Sequence, residues 1–186
     1  IILGSMHNED RKNIIDGLMK LLNENNDLCI FWVPHEPMPK KTQFVFDYFT
    51  ENGYSVNLYS KQKTHDKDYP RVIIVDIVGV LSQIYWNGII AYIGGGFSSG
   101  IHNVMEPAIA RIPVIFGPRY DNFHEAIELV NLGGGWSITN SEEFYNISNK
   151  LINNEAMLLN ASEAATDVIH NNVGSSTRII RGIIRD

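Results

Sequence analysis

A chain of 186 residues with 44% hydrophobic and 19% charged side chains can bury one sizeable core without a disulfide staple, and it is too apolar to be disordered. The 15 Lys and Arg against 21 Asp and Glu leave a net charge of −6 without any basic block, which argues against a phosphate-neutralising nucleic-acid surface. No run of about 18 apolar residues could span a bilayer, and no signal-peptide pattern is present. The lone Cys29, in the apolar run 28–33, reads as a small buried hydrophobe and suits a reducing compartment.

In chain order, Ile1, Ile2 and Leu3 read as a core strand already under way, so the chain reads as a fragment whose amino-terminal half lies elsewhere. Ile14, Ile15, Leu18, Met19, Leu21 and Leu22 follow at helical spacing. The run 28–33 predicts a second strand, and Phe44, Val45, Tyr48 and Phe49 a second helix closed by Asn52 and Gly53. Further strands are expected at 55–58, 72–75, 89–93, 113–116 and, more weakly, 135–138, with a polar loop over 60–70. Helices carrying Val80, Leu81, Ile84 and Tyr85, and later Phe123, Ile127, Leu129 and Val130, alternate with them. The glycines 133–135 read as a C-cap. Ser141 opens one more helix with an N-cap signature, 155–170 forms another, and after Val173 and Gly174 a last apolar helix carries Ile179, Ile180, Ile183 and Ile184. The strands are continuously apolar, as in sheets covered by helices on both faces. The fold class is therefore α/β: a Rossmann-like open parallel sheet followed by carboxy-terminal helices, in a single domain over residues 1–186.

In such sheets the ligand crevice lies beyond the carboxyl ends of the strands, where strand order reverses. Gly94, Gly95 and Gly96, with Phe97, Ser98, Ser99 and Gly100, directly follow the strand at 89–93. Glycines there let backbone amides approach an anion, and the next helix adds its own N–H groups. Pro107 must lie in a first helical turn, so helix begins near Asn103 or Val104 and places Asn103 and Glu106 on one face. Glu106 suits the two hydroxyls of a ribose; the alternative is a glycine-rich turn with Glu106 satisfying the helix dipole. Gly4 and Ser5 form a second anion-compatible corner or a plain βα turn. Pro34-His35-Glu36-Pro37 is a stiffened polar loop, and Arg119 either pairs a phosphate or carboxylate or is a surface arginine. Asp76 reads as a helix cap, with the loop at Gly79 offering backbone contacts. His65, His124 and His170 have no second ligand at useful spacing, so no metal site is expected.

Residues 93–118, IGGGFSSGIHNVMEPAIARIPVIFGP, together with Gly4-Ser5-x-His7, Val75-Asp76 before Gly79 and Leu81, Asn122-Phe123 and the Gly174 region, resemble the carboxy-terminal half of the 3-deoxy-D-manno-octulosonic acid (Kdo) transferases of lipopolysaccharide synthesis. The resemblance covers nearly the whole chain. It implies the carboxy-terminal domain of a GT-B glycosyltransferase, an enzyme as the full-length protein, that binds CMP-Kdo and transfers Kdo with inversion to a lipid A precursor at the cytoplasmic face of the bacterial inner membrane. It implies that the acceptor domain and the catalytic carboxylate lie in the amino-terminal half, so this fragment is soluble and inactive alone, with no catalytic residue and no cofactor beyond the donor. By the same resemblance, Gly94, Gly95, Gly96, His102 and Asn103 would hold the donor's phosphate and sugar, Glu106 the cytidine ribose, and Ser5 and Gly79 other parts of the nucleotide. The family carries Pro-Arg-His-Pro where this chain has Pro34-His35-Glu36-Pro37, so a protonated His35 would replace an arginine. Two other readings are a UDP-sugar donor domain of the same architecture and a non-catalytic α/β module with Asp76 as phosphoacceptor. The second lacks the acidic pair at the end of an early strand that such a module needs.

Overall fold

Seven short apolar segments pair in parallel: β1 (Ile2–Met6), β2 (Ile30–Pro34), β3 (Val56–Leu58), β4 (Val72–Ile74), β5 (Ala91–Ile93), β6 (Val114–Phe116) and β7 (Gly135–Ser137). Their order across the sheet is β3-β4-β2-β1-β5-β6-β7. The computed structural model describes residues 1–62 and 69–172; the rest of the expected polar loop, the Gly174 region and the expected last helix lie outside the described residues.

The strand residues alternate between two cores because successive side chains leave opposite faces of a strand. On one face Leu3, Trp32, Tyr92 and Ile115 meet Leu18 of α1 (Asn8–Glu24), Phe49 of α2 (Pro39–Glu51) and Phe144 of α6 (Ser141–Asn153). On the other, Ile2, Ile93 and Phe116 meet Ile84 of α3 (Leu81–Ile84, continued by a 3-10 turn, Tyr85–Asn87), Ala108 of α4 (Met105–Ile109), Leu129 of α5 (His124–Leu132) and Ala165 of α7 (Glu155–Asn172). Both faces are thus covered, which explains the unbroken apolar strands.

Three local expectations change. Cys29 is half-buried just before β2 rather than inside it, so the strand starts at Ile30. The α6 cap is Asn140, whose side chain accepts from the Glu143 amide at 2.9 Å; the Ser141 hydroxyl instead accepts from the Gly17 amide of α1 at 2.5 Å. Asp76 caps no following helix: its carboxylate accepts from the Ser60 amide at 2.9 Å and the Ser60 hydroxyl at 2.5 Å, fastening the 3-10 turn Tyr59–Lys61 across to the end of β4. Burial alone would raise the Asp76 pKa, but these bonds outweigh it and hold the carboxyl below its ordinary value. Gly133 does close α5, with φ +82 and its amide bonded back to Leu129 and Val130.

Candidate functional site

The sheet order reverses at β1, which has β2 on one side and β5 on the other, so a crevice opens beyond the carboxyl ends of these strands. β1 leaves the sheet irregularly. Its register against β2 shifts between Leu3 and Met6, and Ser5 takes a left-handed conformation at φ +53, rare for a residue with a side chain. The bulge is followed at once by His7 and α1. The His35 amide, just past β2, donates to the Met6 carbonyl at 3.0 Å, so the loops after β1 and β2 are tied together.

Asp10, in the first turn of α1, is fully buried and holds the floor of the crevice. Its carboxylate accepts from the His7 amide at 3.0 Å, the Gly95 amide at 2.8 Å and the Tyr92 hydroxyl at 2.9 Å. A single side chain thereby joins α1, β5 and the glycine loop. Burial, and then the neighbouring Asp10 charge and hydrogen bond, push the Tyr92 hydroxyl well above its ordinary pKa, so it remains a donor.

The glycine loop differs from the open anion cradle expected of it. The Gly94 amide is already bonded to the Gly4 carbonyl at 2.8 Å and that of Gly95 to Asp10. The Gly95 carbonyl takes the Ser98 and Gly100 amides at 2.9 and 3.1 Å. A Cβ on Gly94 would lie 2.1 Å from the Ser5 carbonyl oxygen, and one on Gly96 2.6 Å from the Gly117 nitrogen. These two glycines are small because backbone packs on backbone there. Among the described residues, the Gly96, Phe97 and Ser99 amides carry no hydrogen bond. The Phe97 ring packs on Gly117. Arg119 also braces the loop: one guanidinium nitrogen donates to the Ser98 carbonyl and its amide to the Gly96 carbonyl at 3.0 Å, while the residue stays exposed.

The short helix α4 starts where Pro107 required, with the proline at its third residue. Asn103, one residue ahead of the Val104 cap, steadies this turn: its side-chain oxygen accepts from the Met105 amide at 2.9 Å, while its side-chain amide donates to Glu106 at 3.2 Å. Glu106 is half-buried and its charge reaches Tyr85, whose hydroxyl is pushed far above its ordinary pKa by burial first and Glu106 second. That buried Tyr85 also explains Gly4, where a Cβ would sit 2.2 Å from the tyrosine oxygen. Gly4 thus makes room for a core side chain. Gly79, exposed at φ +84 with open space around it, leaves its backbone approachable in the loop before α3.

Three histidines meet in the crevice, each from the end of a different strand. His7 follows β1, His35 follows β2, and His102 closes the loop after β5, anchored by its amide to the Gly94 carbonyl at 3.1 Å. Ring centroids are 4.6 Å apart for His7 and His35, 4.3 Å for His35 and His102, and 5.0 Å for His7 and His102. The Nε2 atoms of His7 and His102 are 2.7 Å apart, so one of the pair donates and the other accepts. Burial, and then the proximity of His35 and His7, lower the His102 pKa. The spacing of His65, His124 and His170 carried the expectation of no metal site; this trio is a different set, gathered from residues far apart in sequence. Each of the three lies in the loop after a predicted strand, but only the strand order makes those three loops neighbours. Asp10 and Tyr92 had no signal in the sequence.

Beside His7 and His35, a cavity of about 800 Å³ opens between the starts of α1 and α2. Arg11, Lys12, Lys40 and Lys41 line it against Glu9 and Glu36, which makes it locally basic on an acidic chain. Glu36 is partly neutralised by Lys41 at 3.2 Å.

This architecture is that of a GT-B-like α/β domain, and solved structures share it. The C-terminal CMP-Kdo binding domain of WaaA from Acinetobacter baumannii superposes with a TM-score of 0.77 at 22% identity, covering 90% of this chain and 87% of that one. The C-terminal domain of the glycosyl transferase group 1 family protein LpcC from Francisella tularensis gives 0.65 at 14% identity, covering 92% and 83%. By sequence the chain is related to the Kdo transferases: it is 32% identical over 158 residues to the 3-deoxy-D-manno-octulosonic acid transferase of Chlamydia pneumoniae, covering 83% of this chain and 35% of that protein. The chain thus spans about a third of the length of the curated relatives it matches. No protein-family model matches it.

Proposed function

We propose that the chain is the donor-binding part of an inverting glycosyltransferase that takes CMP-Kdo and passes Kdo to a lipid A precursor. Glu106 carries this reading. Asn103 holds its carboxylate at the start of α4, in the connection that follows β5, and a fixed carboxylate can accept both hydroxyls of a ribose. The unengaged Gly96, Phe97 and Ser99 amides suit the phosphate, with His35 and His102 on its flank. Gly94 and Gly95 act by shaping that loop, as Arg119 does by bracing it, while Ser5 and Gly79 offer backbone near the nucleotide. The relation to Kdo transferases supports CMP-Kdo as the donor.

In this reading the acceptor wall and the general base come from an amino-terminal half, so the chain binds nucleotide but does not turn over alone; transfer needs a base placed beside the acceptor hydroxyl. The full-length protein would work at the cytoplasmic face of the inner membrane, held there by segments other than these. Calorimetric titration with CMP tests the reading. Saturable heat is expected, and Glu106→Ala should weaken CMP by about tenfold or more, since bonds to a charged acceptor contribute about 1.5–3 kcal/mol. No heat at millimolar CMP from a chain folded by circular dichroism would contradict it, and tighter binding of UDP than of CMP would move the assignment to a UDP-sugar domain.

A further inference from the structure

We propose that His7, His35 and His102 form a three-imidazole site for a divalent transition metal ion of the zinc type, with a fourth coordination position open to the crevice. One ligating nitrogen from each ring lies within 4.8 Å of the others. The three come from the loops after β1, β2 and β5, which are neighbours in the sheet, so the backbone that carries them is fixed by strand pairing rather than by one flexible segment. Its anchorage is specific: the His7 amide is bonded to buried Asp10, the His35 amide to the Met6 carbonyl and the His102 amide to the Gly94 carbonyl.

Donor chemistry selects the ion. Three imidazoles without a carboxylate or thiolate among the ligands favour zinc, cobalt, nickel or copper over magnesium or calcium, which require oxygen. Zn–N bonds of about 2.0–2.1 Å in a tetrahedron set nitrogens ~3.3 Å apart, so the His7–His102 pair at 2.7 Å must open by ~0.6 Å. His35 is exposed, so its ring can turn inward from its stacked position. Three protein ligands and one vacant position are the arrangement of a site that takes water or an anionic oxygen rather than a closed structural one. At the mouth of the basic cavity beside α1 and α2, such an ion would add two positive charges next to whatever anion enters.

This inference stands on the histidines alone and does not need the nucleotide reading. The experiment is titration of Co2+, then Zn2+, into the untagged chain without nucleotide at about pH 7.5, where imidazole is largely neutral. One cobalt per chain is expected, with the visible absorption of a four-coordinate ion that zinc abolishes. His35→Ala removes an exposed ring and should weaken the ion by about tenfold or more, as should His102→Ala, while His124→Ala, at an exposed position on α5, should change nothing. Absence of saturable binding, or an affinity indifferent to His35→Ala in a chain still folded by circular dichroism, overturns the proposal. A chain that takes cobalt but not CMP supports this site and contradicts the donor reading; one that takes CMP but not cobalt does the reverse.

Discussion

Asp10 is the side chain on which the site's geometry depends. A fully buried carboxylate is tolerated because three donors meet it, and those donors belong to three elements: the His7 amide at the head of α1, the Tyr92 hydroxyl on β5 and the Gly95 amide in the loop beyond. Truncation would leave the Tyr92 hydroxyl and the Gly95 amide unsatisfied where they are buried, and the His7 amide without its partner at the half-buried edge. Asp10→Ala should therefore cost about 3 kcal/mol, the upper range for orphaned buried groups. Urea unfolding should show it as a lower midpoint at unchanged slope. Tyr92→Phe, which removes one donor and leaves two, should cost less. An Asp10→Ala chain as stable as the parent would show that the glycine loop holds its shape without this anchor. Nothing in the sequence marks Asp10, because an acidic residue in a first helical turn is ordinary; only the register of β1 against β5 brings it beneath Gly95. The place of Glu106 at the start of α4, by contrast, was legible, since the proline following it fixed where α4 begins.

At the level of elements, α6 lies against α1 because Gly17 lets it. A Cβ there would fall 2.1 Å from the Ser141 carbonyl oxygen, and the Gly17 amide is bonded to the Ser141 hydroxyl at 2.5 Å. Gly17→Ala gains ~1 kcal/mol of helix propensity, but it forces two helices apart at a cost of about 1–3 kcal/mol. Thermal unfolding should register a net loss of stability, and a rise in Tm would show that the helices separate freely. The central strands were readable because each is a short apolar run covered on both faces, although Leu28 and Cys29 extended the second run two residues before β2; the edge strands β3 and β7, Val-Asn-Leu and Gly-Trp-Ser, are only partly buried. The roles of the glycines were less readable. At Gly4, Gly94 and Gly96 the sequence is equally compatible with a bound anion and with close packing. The Tyr85 hydroxyl, the Ser5 carbonyl and the Gly117 backbone explain why nothing larger than glycine fits at these three positions. The meeting of His7, His35 and His102 likewise depends on strand order, which no local pattern specifies.

Over the whole molecule, a chain of net charge −6 concentrates Arg11, Lys12, Lys40 and Lys41 around one cavity, and the crevice beyond β1 and β5 lies next to it. Local charge of the opposite sign to the net charge is the field expected where an anionic ligand is drawn in. Among the described residues no helix is long and apolar enough to cross a membrane. Two neighbouring places could receive that anion: the edge formed by the Gly96, Phe97 and Ser99 amides with Glu106, and the basic cavity between α1 and α2. Amide chemical shifts of the isotope-labelled chain during CMP titration separate them. The account predicts saturable shifts at Gly96, Phe97, Ser99 and along 102–106. Shifts confined to Lys12, Lys40 and Lys41, or no saturable shift at all, would contradict it.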